Sequence, residues 1–167
     1  MAIVGVMAFA NYNSLGQDQN LKLAASDVQS ILRLAQANAT SRIKCNNDTS
    51  GSGANWIVSF ETNKTTINLL CQIGAGPQVA SASPLLLKNN IKIDSINGCS
   101  QTNPVTVTYQ PLLGGVLFDD TPWNLTCVNN SQSINVTLRD PSKPTCVVDP
   151  NSCKTITINK GGSVGVQ

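Results

Sequence analysis

The chain has 167 residues, which suits one domain with a buried core, since two domains would each be small. Its 11 basic and 9 acidic residues are scattered and leave a net charge of +2, so no basic cluster indicates a nucleic-acid-binding surface. Histidine is absent, which removes the commonest general base and the commonest neutral metal ligand. We therefore expect no enzyme, and no site for a cofactor or a metal ion.

The first ten residues, MAIVGVMAFA, are almost wholly apolar and are followed by the polar run NYNSLGQDQN. Ten residues are too few for a membrane span, which takes about 20. The stretch has three interpretations: half of an anchor helix, the remnant of a secretory signal peptide, or a core segment of the same domain. A signal peptide would have a basic region before its apolar run, and none is present, although Ala8-Phe9-Ala10 has the form of a cleavage site.

The segment 21–44 contains no Pro or Gly and is rich in Ala, Leu and Gln. Its apolar residues recur at spacings of three and four, which predicts an amphipathic helix with one apolar stripe. The stripe consists of Leu21, Ala24, Val28, Leu32, Ala35 and Ala39. We expect Leu23, Ile31 and Leu34 to widen it. The preceding stretch 11–20 holds Asn, Ser and Gly, which favour helix poorly and predict a loosened junction.

Beyond Cys45 the sequence turns into a loop and then into short runs rich in β-branched residues, separated by turn residues. Eight of these runs are predicted strands: 55–60, 65–71, 91–96, 104–110, 114–118, 133–139, 154–159 and 163–166. The stretches ETNK and NKGG predict tight hairpin turns between the first two and the last two runs.

The predicted organisation has two parts. Residues 1–20 form a partial hydrophobic anchor helix with its loosened junction, and residues 21–167 form a globular domain, with a helix over 21–44 and a β domain over 52–167. The apolar stripe of the helix needs a partner, and the inner face of the sheet is the only large one available. The fold class is therefore α+β, with a long N-terminal helix packed on an antiparallel sheet or sandwich.

Cysteines are even in number, widely spaced and free of Cys-x-x-Cys pairs; they are Cys45, Cys71, Cys99, Cys127, Cys146 and Cys153. This pattern favours disulfides and an oxidising, extracytoplasmic compartment over unpaired cysteines in a cytosolic protein. A bridge from Cys45 to Cys71 would staple the end of the helix to the sheet. Cys146 and Cys153 are close enough in sequence for a local bridge, which would leave Cys99 with Cys127. Six cysteines allow fifteen pairings, and the sequence does not choose among them.

Two stretches resemble the type IV pilin and type II secretion pseudopilin superfamily. The run NLKLAASDVQSILRLAQANATSR, residues 20–42, is similar to the helix of GspH/FimT-like minor pilins, where LxxAASxLxSxLxxAxxxA is typical. The run TITINKGGSVGV, residues 155–166, resembles their closing β-hairpin. AIVGVMAFANY looks like the latter half of the pilin hydrophobic helix, as if the chain began about ten residues late. The resemblance therefore implies an N-terminal truncation, with a leader and an acidic residue just upstream.

The resemblance implies a pilin-like fold and a structural role. The protein would be a subunit of an extracellular type IV pilus or secretion pseudopilus, anchored in the inner membrane before it joins the cell-surface filament. The implied partners are identical or different pilin subunits, and no small-molecule substrate is expected. The implied filament-packing residues are Ile3, Val4, Val6, Met7 and Phe9.

If the protein is a filament subunit, its disulfide-stapled β domain would serve adhesion, DNA uptake or secretion. DNA-binding minor pilins carry arginines in and beside the closing turn, whereas this chain has Lys160 alone there, so DNA uptake ranks as a third hypothesis. The second hypothesis is a secreted β-rich binding or adhesion module with no filament role.

An aspartate pair and two tryptophans remain to be interpreted. Asp119 and Asp120 offer oxygen ligands, but a Ca²⁺ ion needs six or more, so we expect a solvated turn and no metal. Trp56 shares a strand face with Val58 and is expected in the core, whereas Trp123, in a Pro-containing loop, is open to a role in partner binding.

Overall fold

The computed structural model describes residues 2–45, 53–98, 103–111, 116–120, 125–126 and 133–167, with side chains from residue 18 onward except 118–120 and 125–126. The helix α1 spans Ala2–Thr40, a length of about 58 Å for its 39 residues. It runs unbroken through 11–20, where the sequence predicts weak helix. It ends four residues before the predicted end at Lys44.

The helix ends at a left-handed turn at Arg42, where φ is 53°. The amide N–H of Arg42 donates to the carbonyl of Ala39 at 3.1 Å, and that of Ile43 donates to the carbonyl of Asn38 at 2.8 Å. These two bonds close a Schellman motif. Glycine usually takes the left-handed position, because a Cβ atom is disfavoured there. No glycine marks this end in the sequence, which is why the sequence predicts a helix that continues to Lys44.

Eleven strands lie within the described ranges. They are β1 Asn55–Phe60, β2 Thr66–Gln72, β3 Val79–Ala80, β4 Leu85–Leu86, β5 Lys92–Asn97, β6 Val105–Tyr109, β7 Val116–Asp120, β8 Leu125–Thr126, β9 Ser133–Arg139, β10 Cys153–Asn159 and β11 Val164–Val166. All eight predicted runs are strands, within two residues at each end. The two-residue strands β3, β4 and β8 are too short to leave a pattern in the sequence.

The strands form two antiparallel sheets. The first has the order β3-β2-β1-β6-β7-β8, with β4 also paired to β2, and the second has the order β11-β10-β9-β5. Both predicted hairpins are present, with left-handed Asn63 (φ 64°) in the first turn and left-handed Gly162 (φ 86°) in the second. These conformations are what tight turns require of Asn and Gly.

The apolar stripe of α1 lies across both sheets. The helix contacts β1 and β6 of the first sheet and β9, β10 and β11 of the second. The stripe residues predicted from the sequence are all buried: Leu21, Ala24, Val28, Leu32, Ala35 and Ala39. Main-chain bonds also join the sheets, including Val116 N–H to the Lys160 carbonyl at 3.1 Å and Ile93 N–H to the Lys64 carbonyl at 3.0 Å. One helix and two sheets thus share one core, which confirms the α+β class.

Two links fix the C-terminal end of α1 to the first sheet. Cys45 and Cys71 form a disulfide with their Cα atoms 5.8 Å apart. The indole N–H of Trp56 donates to the carbonyl of Ile43 at 3.0 Å. Trp56 lies between Cys71 and Tyr109 in the strand register and is only 5% exposed, so its predicted place in the core is confirmed.

We predict that Arg42→Gly stabilises the protein, because glycine adopts the left-handed conformation without the Cβ penalty. The expected gain in unfolding free energy is about 0.5–1 kcal/mol, measured by urea denaturation. The matched control is Arg33→Gly on the exposed middle of α1, where glycine should cost about 1 kcal/mol. Equal losses in both variants would contradict the assignment of Arg42 to the cap.

A second prediction concerns Tyr109, which is buried and whose hydroxyl has no hydrogen-bond partner among the described residues. Burial raises the pKa of its phenol above the ordinary value of 10.0. The unfolded chain therefore loses this proton first, and stability falls as pH rises above about 10, by at most about 1.4 kcal/mol per pH unit.

Tyr109→Phe should remove this dependence and leave the protein at least as stable at pH 7, since no hydrogen bond is lost. Urea unfolding of both proteins at pH 7 and at alkaline pH measures the difference. A variant that is clearly less stable at pH 7 would show that the hydroxyl has a partner.

Candidate assembly surface

The first turns of α1 combine helical backbone with a wholly apolar sequence. Residues 2–10 contain no polar side chain and all lie in the helix. They make about two and a half turns, so apolar positions occur on every side of the helix axis. A helix that is apolar all round needs cover all round, from lipid or from other protein.

The predicted filament-packing residues all fall in this segment, and their side chains lie outside the described part of the chain. They are Ile3, Val4, Val6, Met7 and Phe9. Among the described side chains, those of α1 enter the domain core only from Leu21 onward. Within the described residues, no part of α1 combines the length and the apolar character of a transmembrane helix.

Two leucines that the sequence predicts in the stripe lie on the outer side of α1, away from the buried stripe. Leu23 is 62% exposed and Leu34 is 50% exposed, so this expectation is wrong for both, whereas Ile31 is partly buried against the core. At about 100° per residue, positions 23 and 34 fall on one line of the helix, well away from the stripe that begins at Leu21. The outer side of α1, away from the buried stripe, thus carries two exposed apolar side chains.

A groove of about 450 Å³ runs beside this outer side. Ile31 and Leu34 form its helix wall, and Leu69, Pro84 and Leu86 form much of the opposite wall. Leu86 is 61% exposed. The sequence does not predict the groove, because segment 82–86 meets α1 only in the folded domain. The apolar run PLLL, residues 84–87, is the one feature of the sequence that indicates an apolar surface there.

The opposite flank of α1 carries a more polar cavity of about 440 Å³ at the closing turn. Arg33 and Gln36 line it together with residues 161–164. The side-chain amide of Gln29 donates to the Val164 carbonyl at 3.5 Å. The turn in which the sequence shows Lys160 alone therefore has a second cation, Arg33, close by.

The other residues singled out in the sequence are the cysteines, two aspartates and Trp123. Two of the predicted disulfides are present, and several of the other residues are not described. Cys146 and Cys153 form the predicted local disulfide, with their Cα atoms 5.6 Å apart, and the predicted Cys45–Cys71 bridge is also present. Asp119 and Asp120 lie in strand β7, paired with β6 and β8, so the expectation that they form a solvated turn is wrong; their side chains are not described. Cys99, Cys127 and Trp123 lie outside the described residues. No cluster of possible metal ligands occurs in the part of the chain that the structure describes.

Comparison of the chain with models of protein families, with curated proteins and with solved structures gave no match.

We predict that Leu34 contributes little to the stability of the single subunit. Leu34→Ser should change the unfolding free energy by less than about 0.5 kcal/mol, because the side chain is half exposed. The matched control on the same helix, Leu32→Ser, removes a fully buried side chain and should cost about 3 kcal/mol or more. Thermal unfolding of both variants measures the contrast, and a large loss for Leu34→Ser would place this leucine in the core.

Proposed function

We propose that the protein is a structural subunit of an extracellular filament of the type IV pilus or pseudopilus kind. It assembles through the N-terminal part of α1 and displays its disulfide-stapled β domain for adhesion, DNA uptake or secretion. One observation carries the proposal: a single continuous helix is apolar on every side at residues 2–10 and is buried along one stripe of the domain from Leu21 to Ala39.

The apolar segment has the composition of a helix that packs against other helices. Small residues alternate with large ones: Ala2, Gly5, Ala8 and Ala10 separate Ile3, Val4, Val6, Met7 and Phe9. Small residues allow helix backbones to approach closely, and association then depends on van der Waals packing. Because the main-chain hydrogen bonds lie within the helix, the segment suits lipid before assembly and a bundle of neighbouring helices afterwards.

The rigid attachment of α1 to the domain supports the same role. The disulfide between Cys45 and Cys71 and the bond from Trp56 to Ile43 hold the helix end against the first sheet. A fixed helix angle means that packing of the N-terminal segments sets the orientation of every displayed domain. The outer leucines and the adjacent groove then give neighbouring subunits a second apolar contact above the helix bundle.

The test is assembly of the full chain upon removal of detergent. Electron microscopy and sedimentation should show filaments for the unchanged protein. Val6→Asp and Phe9→Asp should abolish them, because a carboxylate in a packed apolar bundle is desolvated without a partner, at a cost of several kcal/mol. The matched control is Val79→Asp on the short edge strand β3, where the side chain is 47% exposed, and it should assemble normally.

Two outcomes would contradict the proposal. One is an unchanged protein that stays a single subunit after detergent removal, which would favour a secreted binding module. The other is normal filament formation by Phe9→Asp, which would show that this segment is not in the packed centre.

A further inference from the structure

The loop between β9 and β10 exposes two adjacent valines. Val147 is 95% exposed and Val148 is 75% exposed, the highest exposures among the large hydrophobic side chains that the structure describes. They follow directly on Cys146, inside the loop that its disulfide to Cys153, seven positions further on, closes. Two neighbouring apolar side chains in such a loop are in full contact with water in the single subunit.

This loop is held in place by several bonds in addition to the disulfide. The N–H groups of Val148 and Asp149 both donate to the Thr145 carbonyl, at 2.9 and 3.0 Å. Asp149 caps the short 3-10 helix Pro150–Ser152 by accepting from Asn151 N–H at 3.0 Å. The buried hydroxyl of Ser152 donates to the Pro144 carbonyl at 2.8 Å. The valines are therefore presented on a fixed support.

The loop lies at the end of the domain where the apolar segment of α1 joins it. At the far end of β10, the closing turn lines a cavity with Arg33 and Gln36. Along α1, the distance from residue 33 back to residue 18 is about 22 Å. Along β10, the distance from Lys160 back to Lys154 is similar, about 20 Å. Since α1 contacts β10 along the way, the start of β10 lies near Asp18.

Electrostatics at Asp18 agree with this placement. The hydrogen bond from Lys22 is the main cause that lowers the pKa of Asp18, and burial opposes it by a smaller amount. The charges of Lys154 and Lys143 lower the pKa of Asp18 further. Lys143 belongs to the loop and Lys154 to the start of β10, so both cations lie close to the first turn of α1 whose side chains are described.

We infer that this loop is a lipid contact, in which Val147 and Val148 enter the interfacial layer of the membrane that holds the first turns of α1 before assembly. The inference rests on the membrane-anchored stage of the proposed function. Position 10 and Asp18 are about 12 Å apart along the helix. A headgroup layer about 5–8 Å thick spans roughly half of that distance.

The contact is hydrophobic rather than electrostatic, because the charges around the loop are balanced. The cations there are Lys22, Arg139, Lys143 and Lys154, and the carboxylates are Asp18, Asp94, Asp140 and Asp149. Arg139 pairs with Asp94 at 2.5 Å and Lys22 pairs with Asp18 at 2.6 Å. Binding should therefore depend little on the fraction of anionic lipid. Binding through a basic patch, by contrast, would increase with that fraction.

A tryptophan reporter in the full chain tests the contact. Val147→Trp, reconstituted in phosphatidylcholine vesicles with lipids brominated near the headgroup, should show a blue-shifted emission. Its quenching should exceed the background from Trp56 and Trp123 by about twofold, since interfacial tryptophan lies within reach of the bromines. Val79→Trp, on the edge strand β3, should show background quenching only.

A binding comparison measures how much the valines contribute. The double variant Val147→Ser with Val148→Ser should weaken partitioning into these vesicles by about tenfold, because two apolar side chains no longer leave water. The control pair Val79→Ser with Leu117→Ser removes two exposed apolar side chains elsewhere and should leave partitioning unchanged. The same measurement with added anionic lipid should give the same ratio.

Each contrary outcome has a separate meaning. If the chain binds vesicles but Val147→Trp stays at background, the loop inference fails and the anchor stands. If the unchanged chain does not bind vesicles, the membrane stage fails along with the loop, while detergent removal still reports on filament formation. A blue shift in lipid-free filaments alone would assign the valines to a contact between subunits and overturn the lipid contact.

Discussion

Burial of one stripe of α1 across both sheets is the contact on which the rest of the structure depends. The two sheets are joined to each other by a few main-chain bonds between turns and strand ends, whereas the helix covers both along its length from Leu21 to Ala39. The small alanines of the stripe allow the helix to lie close to the strands, and the larger residues Leu21, Val28 and Leu32 are fully buried in the shared core. Loss of this contact would leave the inner faces of both sheets in water.

The same stripe explains why the domain was predictable from sequence. The spacing of Leu21, Val28 and Leu32 depends only on the helical repeat, and the alternation in the longer strands depends only on the pleat. These local patterns gave every long element and the α+β class. The two confirmed disulfides agree with the pairings that position favours: Cys45 follows the helix and Cys71 lies at the end of a hairpin strand, whereas Cys146 and Cys153 are close in sequence.

What the sequence did not show depends on contacts between distant residues or on backbone conformation. The groove beside Leu34 forms only when segment 82–86 reaches the helix, and Arg33 comes close to the closing turn only in the folded domain. Leu23 and Leu34 are hydrophobic and are therefore predicted in the stripe, although their angle on the helix sets them apart from it. Arg42 ended the helix without glycine, since the bonds to Ala39 and Asn38 satisfy the carbonyls there.

The two ends of α1 have different constraints, and this difference accounts for the proposed function. The C-terminal end is fixed by a covalent bond and a cap, so it transmits orientation to the domain. The N-terminal segment satisfies its own main-chain hydrogen bonds and is apolar on every side, so it can exchange lipid for helices without exposing polar groups. Assembly would then need no refolding of the domain. In the proposed lipid contact, Val147 and Val148 would leave the membrane interface at the same step. The free energy of their burial in lipid would then be lost, and packing of neighbouring helices would have to offset it.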